Sequence, residues 1–320
     1  MIEEAGKVQS ETRKFLMSWR QHRRHNRLYW RDTIEGYLFI MPVVLGLLIW
    51  TFGPMIASLY LSLTDYPLLK SPEFIGFRNY VDMFTAPYLR VLQSLWITLL
   101  YAAMSLPLTL VASLATALLL NQRLRGIRFF RTALYMPTIV PGIAMVFIWG
   151  WLLNPEFGLV NATLQSLGLP TYRWLAEPNT ALISLAVLNL WSIGPAMVIF
   201  LAGLQGISQE LYDAAKIDGA GEWREFWNIT IPMLSPTIFF NLVTGLIFTF
   251  QYFLPPFVLT KGGPLFSTYV YNLNLYEKAF KWLQMGLAAA MAWLMFTIIL
   301  ALTLVLFRGS DALVYYEVKQ

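Results

Sequence analysis

Long apolar runs separated by short polar ones set the pattern of this chain. Six stretches, near 37–63, 91–120, 132–153, 181–206, 236–259 and 285–307, contain no Asp, Glu, Lys, Arg or His. A helix crosses the hydrocarbon core with roughly 20 apolar residues, so each run predicts one membrane span. The predicted fold class is an all-α membrane protein with six transmembrane helices, built as one domain over 37–307. A basic arm at 1–36 and a tail at 308–320 flank that domain. Several runs contain prolines, namely Pro42, Pro54, Pro107, Pro137, Pro141, Pro195, Pro255 and Pro256. Each removes a backbone donor and can kink its helix, although many transmembrane prolines are simply tolerated.

The polar interruptions are unequal. The segment 210–236, inside the connection 207–235 and the start of the fifth run, is more than a turn needs. It sets Glu210, Asp213, Asp218, Glu222 and Glu225 against Lys216 and Arg224, with Leu211, Ala214, Ala215 and Phe226 between them. That spacing predicts a short amphipathic helix offered to a soluble partner. Two other connections, 70–90 and 154–178, are rich in aromatic residues, which anchor helices at a membrane interface or form a platform for an external partner.

Composition agrees with this class. Of 320 residues, 57% are hydrophobic and 13% charged, where a soluble domain carries about a quarter charged. There is no cysteine, and the only two histidines are His22 and His25 in the basic arm. Disulfides, thiolate metal sites and histidine metal centres are therefore not expected. The net charge of +5 fits basic loops at a membrane rather than nucleic-acid binding. With the N-terminus inside, sixteen of the 23 Lys and Arg residues fall in inner segments and seven in outer ones. The positive-inside rule thus predicts both termini and the 210–236 segment to be cytoplasmic. Phe15, Leu16 and Trp19 among Arg13, Lys14, Arg20, Arg23 and Arg24 read as a helix on the anionic inner leaflet or as a solvated tail. The basic region is too long, and the first apolar run exceeds the ~7–15 residues of a signal core, so a cleaved signal is not expected.

Missing residues narrow the function. All 18 acidic residues lie outside the six runs, whereas ion-coupled carriers usually keep one near midplane. A charged cargo would also want a fixed counter-charge on its path, so a neutral cargo is favoured. The chain has no phosphate-binding Gly-x-x-x-x-Gly-Lys-Ser/Thr loop and no hydrolase motif in a span. No catalytic residue, metal ligand or cofactor is expected on it. If transport is uphill, the energy enters from another chain.

The 210–236 segment resembles the signature loop of permease subunits in binding-protein-dependent ABC importers. That signature is Glu-Ala-Ala, three residues, Gly, nine residues, Ile-x-Leu-Pro. Here it reads Asp213-Ala214-Ala215, Gly219 and Ile229-Thr230-Ile231-Pro232, with Asp213 in place of Glu and Ile231 in place of Leu. Blocks at 74–80, 130–137, 151–161 and 259–264 resemble the carbohydrate branch, which includes maltose-, lactose- and glycerol-phosphate-type importers. The match runs over about 35–310.

The resemblance implies a plasma-membrane assembly in a prokaryote. In it, two homologous permeases pair across a path and two ATP-binding subunits dock below, carrying ATP and Mg. An extracytoplasmic solute-binding protein delivers a sugar or oligosaccharide from above. The loop residues Glu210, Asp213, Ala214, Ala215, Asp218, Gly219, Ile229 and Pro232 would then couple this chain to the ATPase. Gly219 would break the loop into two helices, and Pro232 and Pro236 would start the next one. Candidate cargo residues are Asn189, Trp191 and Ser192 in the fourth run, and Asn241, Thr244, Phe248, Gln251 and Tyr252 in the fifth. These polar groups also serve as glue between helices. A stand-alone channel or facilitator, or a membrane scaffold, is the competing class; neither needs a coupling loop or an ATPase.

Overall fold

The computed structural model describes Trp30 and residues 33–122 and 125–313. The basic arm therefore lies almost wholly outside the described residues, as does the tail beyond 313. Four helices are long and apolar enough to cross a membrane: Thr33–Ser62, Val91–Leu120, Glu222–Phe250 and Met285–Ser310. Two bent pairs complete the set, Ile127–Ile139 with Gly142–Leu152 and Pro178–Ser192 with Gly194–Gln205. They are called the first to sixth spans in chain order.

The third and fifth spans differ from the sequence reading, and the fourth carries the kink expected at Pro195. The third, expected as one helix over 132–153, turns through 101°. Pro137 and Pro141 bracket the turn; residue 136–139 is a tight 3-10 segment, and Val140 and Pro141 are extended. Two helices at that angle cannot both follow the membrane normal. The fourth bends by 53° where a 3-10 turn at Leu190–Ser192 precedes Gly194-Pro195. The fifth begins at Glu222, inside the polar segment, and ends at Phe250 rather than 259. Pro232 sits in the first turn of its regular α-helical part, Ile231–Phe250, as expected, whereas Pro236 lies inside that helix. A wider π turn over Phe226–Thr230, in which the Ile231 N–H bonds to Phe226 O, precedes Pro232 and gives its ring room.

The first span, Thr33–Ser62, spans the boundary of two compact units, Met1–Tyr60 and Leu61–Gln320. Its own side chains are mostly exposed, and a π turn at Leu48–Phe52 precedes Gly53-Pro54.

In the second unit, the second span is the central column. Its buried residues are mostly small, Ser94, Thr98, Ala102, Ser105, Ser113 and Ala117, with Tyr101 the large exception between its ends, and the small ones let neighbouring backbones approach closely. At its Val91 end a core of Met83, Val91, Phe250, Tyr271, Leu287 and Met291 forms. Asn274 ties the chain there by donating to Leu89 O (3.0 Å) and Ser94 Oγ (3.2 Å). At its Leu120 end a second core joins Ala117 and Leu120 to Met197, Phe200, Leu204 and Leu234. Close approach of the fourth and fifth spans explains Gly203: a Cβ there would fall 2.6 Å from Thr237 Oγ1 and 2.9 Å from Leu234 Cδ2.

The connection after the first span adds two features that apolar periodicity could not reveal. Thr64–Asp65 pairs antiparallel with Glu73–Phe74, and Arg78–Thr85 forms a short helix. Asn79 holds the hairpin by donating to Ser62 O and Thr64 O, both at 2.9 Å.

Candidate functional site

The polar segment folds as two helices around a glycine. Gln209–Ile217 starts at Ser208, whose Oγ accepts from the Glu210 N–H at 3.3 Å. It carries an acidic residue in its first turn and Lys216 in its last, which suits the helix dipole. It ends in a double-bonded cap: the Gly219 N–H donates to Lys216 O (3.1 Å) and the Ala220 N–H to Ala215 O (2.9 Å). That cap needs a left-handed residue, and Gly219 supplies it at φ +76°. The second helix begins at Glu222 and runs on into the fifth span. Tyr212 Oη lies 3.0 Å from Thr230 Oγ1 and so pins the first helix to the base of that span.

The candidate loop residues separate into two groups. Glu210, Asp213, Ala214, Asp218 and Gly219 are exposed, whereas Ala215, Ile229 and Pro232 are half-buried against the base of the fifth span. The helix tip also presents Ile217, 87% exposed, beside the glycine turn. Ile217, Tyr212 and Thr230 were not among the residues picked from the sequence. The first is a bare apolar tip in a polar segment, and the other two are a hydroxyl pair that only folding brings together.

The second candidate region is a cavity of about 430 Å³ between the two cores. The second span lines it with Leu106, Thr109 and Leu110, and the kink of the fourth with Asn189, Ser192 and Pro195. The fifth span completes it with Asn241, Thr244 and Phe248. Asn189 Nδ2 donates to Ser105 Oγ and Thr109 Oγ1, each at 3.2 Å. Asn241 Nδ2 donates to Thr237 O at 3.2 Å, and Thr244 Oγ1 donates to Phe240 O at 2.8 Å. Among the described residues no ionisable side chain lines the cavity.

Five of the eight cargo candidates meet here, and three do not. Trp191 sits on the 3-10 turn and points its ring edge-on to Trp149, with centroids 5.6 Å apart. Gln251 is the exposed cap that ends the fifth helix. Tyr252, past that end, stacks on Tyr101 at 4.1 Å and donates to Leu185 O at 3.4 Å. Thr109, Leu106 and Pro195 were not singled out as cargo residues, because single polar or apolar residues in a long span carry no signal of what they face.

Charge is kept at the Val91 end. Tyr269 Oη donates to Glu277 Oε2 at 2.7 Å, and Lys281 Nζ donates to Glu277 Oε1 at 3.0 Å. Burial, with that carboxylate second, pushes the Tyr269 phenol well above its usual range. Burial also lowers Lys278, against the opposing pull of Glu277.

Comparison with known proteins is consistent across the chain. Residues 83–314 match the family described as binding-protein-dependent transport system inner membrane component. The probable ABC transporter permease protein YesP of Bacillus subtilis (strain 168) is 40% identical over 294 residues, covering 91% of this chain and 94% of that protein. The trehalose/maltose transport system permease protein MalF of Thermococcus litoralis is 32% identical, covering 88% and 95%. Among solved structures, a chain of a bacterial alginate ABC transporter, in complex with alginate pentasaccharide-bound periplasmic protein, superposes with a TM-score of 0.75. It is 23% identical, and the match covers 86% of this chain and 93% of that one; at that identity the likeness speaks to fold alone.

Proposed function

The chain belongs to the binding-protein-dependent transport system inner membrane components, and from that premise we propose that it is the membrane-spanning permease subunit of an ATP-driven ABC importer for a sugar or oligosaccharide. It forms half of a translocation path, pairs with a homologous permease, and sits in the plasma membrane with both termini cytoplasmic. An extracytoplasmic binding protein delivers the cargo. ATP and Mg belong to two separate ATPase subunits, and no chemistry is assigned to this chain.

The observation that carries the coupling role is the cap at Gly219. A helix whose tip is exposed, whose stop is fixed by two backbone bonds, and which is pinned to the fifth span at Thr230 can pass a push into that span as a rigid body. The fifth span runs unbroken from this loop to the cavity wall. Movement at one is movement at the other. ATP binding that favours one position of the docked helix thereby favours one arrangement of the path, through differential affinity for two states.

For the cargo, the cavity offers two amides, hydroxyls and the Phe248 ring, which is 74% exposed. Amides and hydroxyls suit hydroxyl groups, and an aromatic face suits the apolar side of a pyranose ring. The volume falls within the usual range for small-molecule pockets. The lining carries no counter-charge, so the cargo assigned to this half of the path is a neutral glycan. The alginate relative is described as importing an acidic polysaccharide; an acidic cargo here would need its cation from the partner permease.

Purification tests the assembly. The tagged permease should bring down a second six-span chain and an ATPase, and reconstituted uptake of a neutral sugar should require ATP and the binding protein. Uptake that proceeds without ATP would make the chain a facilitator instead.

A further inference from the structure

We infer that the helix Ile127–Tyr135 is a binding site for an anionic phospholipid, with Arg125 and Arg128 on the phosphate and Phe129, Phe130 and Leu134 along an acyl chain. The inference rests on the reading above only for the side of the membrane, the cytoplasmic leaflet.

Its depth is fixed by one contact. Arg131 Nη2 donates at 2.8 Å to Leu120 O, the last carbonyl of the second span, so this helix begins where that span leaves the membrane. Helical spacing of 100° per residue puts Arg128 and Arg131 on one face, Phe129 and Phe130 away from it, and Leu134 at the border between Phe130 and Arg131. Arg131 is half-buried, and the remaining side chains named here are exposed. Phe129 is 72% exposed and Phe130 55%, while Arg125 and Arg128 are exposed.

Among the described residues no ion pair involves Arg125 or Arg128. Between Asp82 and Glu156 the sequence contains no acidic residue. The Nε of Arg131 is buried with no acceptor. Guanidinium groups match phosphate oxygens in a fork. A water-facing surface would satisfy the arginines but leave the phenylalanines bare, and a neutral lipid would do the reverse. A lipid with an anionic headgroup satisfies both faces at once. The 101° turn after Ile139 separates this amphipathic piece from the wholly apolar helix Gly142–Leu152, so the two need not share an orientation in the bilayer.

Native mass spectrometry of the full-length protein, offered equal amounts of the phosphatidylglycerol and phosphatidylcholine forms of one lipid, reads this directly. Wild type should retain phosphatidylglycerol selectively. R125Q/R128Q should weaken that retention about tenfold, in line with the modest attraction of each basic side chain at an anionic surface. F129A/F130A should reduce retention of both lipids. K70Q/K261Q, which removes two exposed charges at the Val91 end, should match wild type. The inference is overturned if R125Q/R128Q keeps its selectivity, if K70Q/K261Q loses as much, or if inorganic phosphate displaces the lipid and so reveals a free-anion site. It is equally overturned if R125Q/R128Q sheds the ATPase while keeping the lipid, since the arginines would then serve a protein contact. Lipid retention needs neither ATP nor sugar, so it can fail while the transport reading stands, and the reverse.

Discussion

The loop at 208–232 and the cavity between Asn189 and Thr249 are built on opposite plans. The loop is local: its cap, its glycine turn and its hydroxyl clasp all join residues at most 18 apart. The cavity is non-local, with Asn189 bonding Ser105 and Thr109, 84 and 80 residues away. A local device can be stiff by itself and act as a lever. A non-local pocket changes shape whenever its three walls shift, which is what a lever acting on one wall exploits. The fifth span is shared by both, and it is where the two plans meet.

Substitution at the turn should separate them most sharply. Gly219→Asp places a side chain at φ +76°, a region costly to L-residues by roughly 1–2 kcal/mol. Because no atom lies within 4 Å of a Cβ there, the protein should still insert and fold. ATP-driven uptake should fall at least tenfold with membrane levels unchanged. A bulky side chain at half-buried Ala215, the residue whose carbonyl closes the cap, should act the same way. Normal uptake in both variants would remove the loop's lever role.

The cavity should answer differently. Asn189→Leu deletes two hydrogen bonds, each worth about 0.5–1.5 kcal/mol, and leaves Ser105 and Thr109 facing an apolar group. Half-saturation for uptake should rise severalfold to tenfold while ATP hydrolysis stays coupled. An unchanged half-saturation would place the cargo elsewhere, including wholly on the partner permease.

How far each region could be read from the sequence follows the same division. The Asp213-Ala214-Ala215, Gly219 and Ile229 to Pro232 spacing lay within 20 residues, so the glycine stop was legible before the fold was seen. The second span, 91–120, was legible because no charge interrupts it, and it stays one helix through Pro107. The cavity was half legible. Periodicity placed Asn241, Thr244 and Phe248 on one face correctly, but it ran on past Phe250, where the helix stops, and so carried Gln251 and Tyr252 along. Trp191 lies outside the cavity lining, on the 3-10 turn at Leu190–Ser192 and edge-on to Trp149. The bend in the third span was flagged only as a set of prolines. Apolar content says that a segment is buried in lipid or protein, never in which direction it runs. The start of that helix was lost because Arg128 and Arg131 ended the charge-free run.

Smaller effects sharpen the comparison. Gly203→Val should destabilise the bundle by about 1–3 kcal/mol through contact with Thr237 and Leu234, lowering the thermal midpoint and both activities together. Smallest is Ser208→Ala, which removes the N-cap of the loop helix at a cost of about 1 kcal/mol. It should trim coupling by a few-fold at most and leave half-saturation alone. A shift in half-saturation here would mean that loop and cavity are not separable.

The lever account is tested most directly by where the loop tip sits. The protein has no cysteine of its own, so Ile217→Cys is a single reporter on the most exposed apolar point of the loop. In the assembled importer it should cross-link to the ATPase subunit through a short bifunctional reagent, with a yield that changes when ATP is bound, and it should be shielded from impermeant thiol reagents added outside intact cells. Labelling from outside, or a tip that never cross-links to the ATPase, would contradict the account.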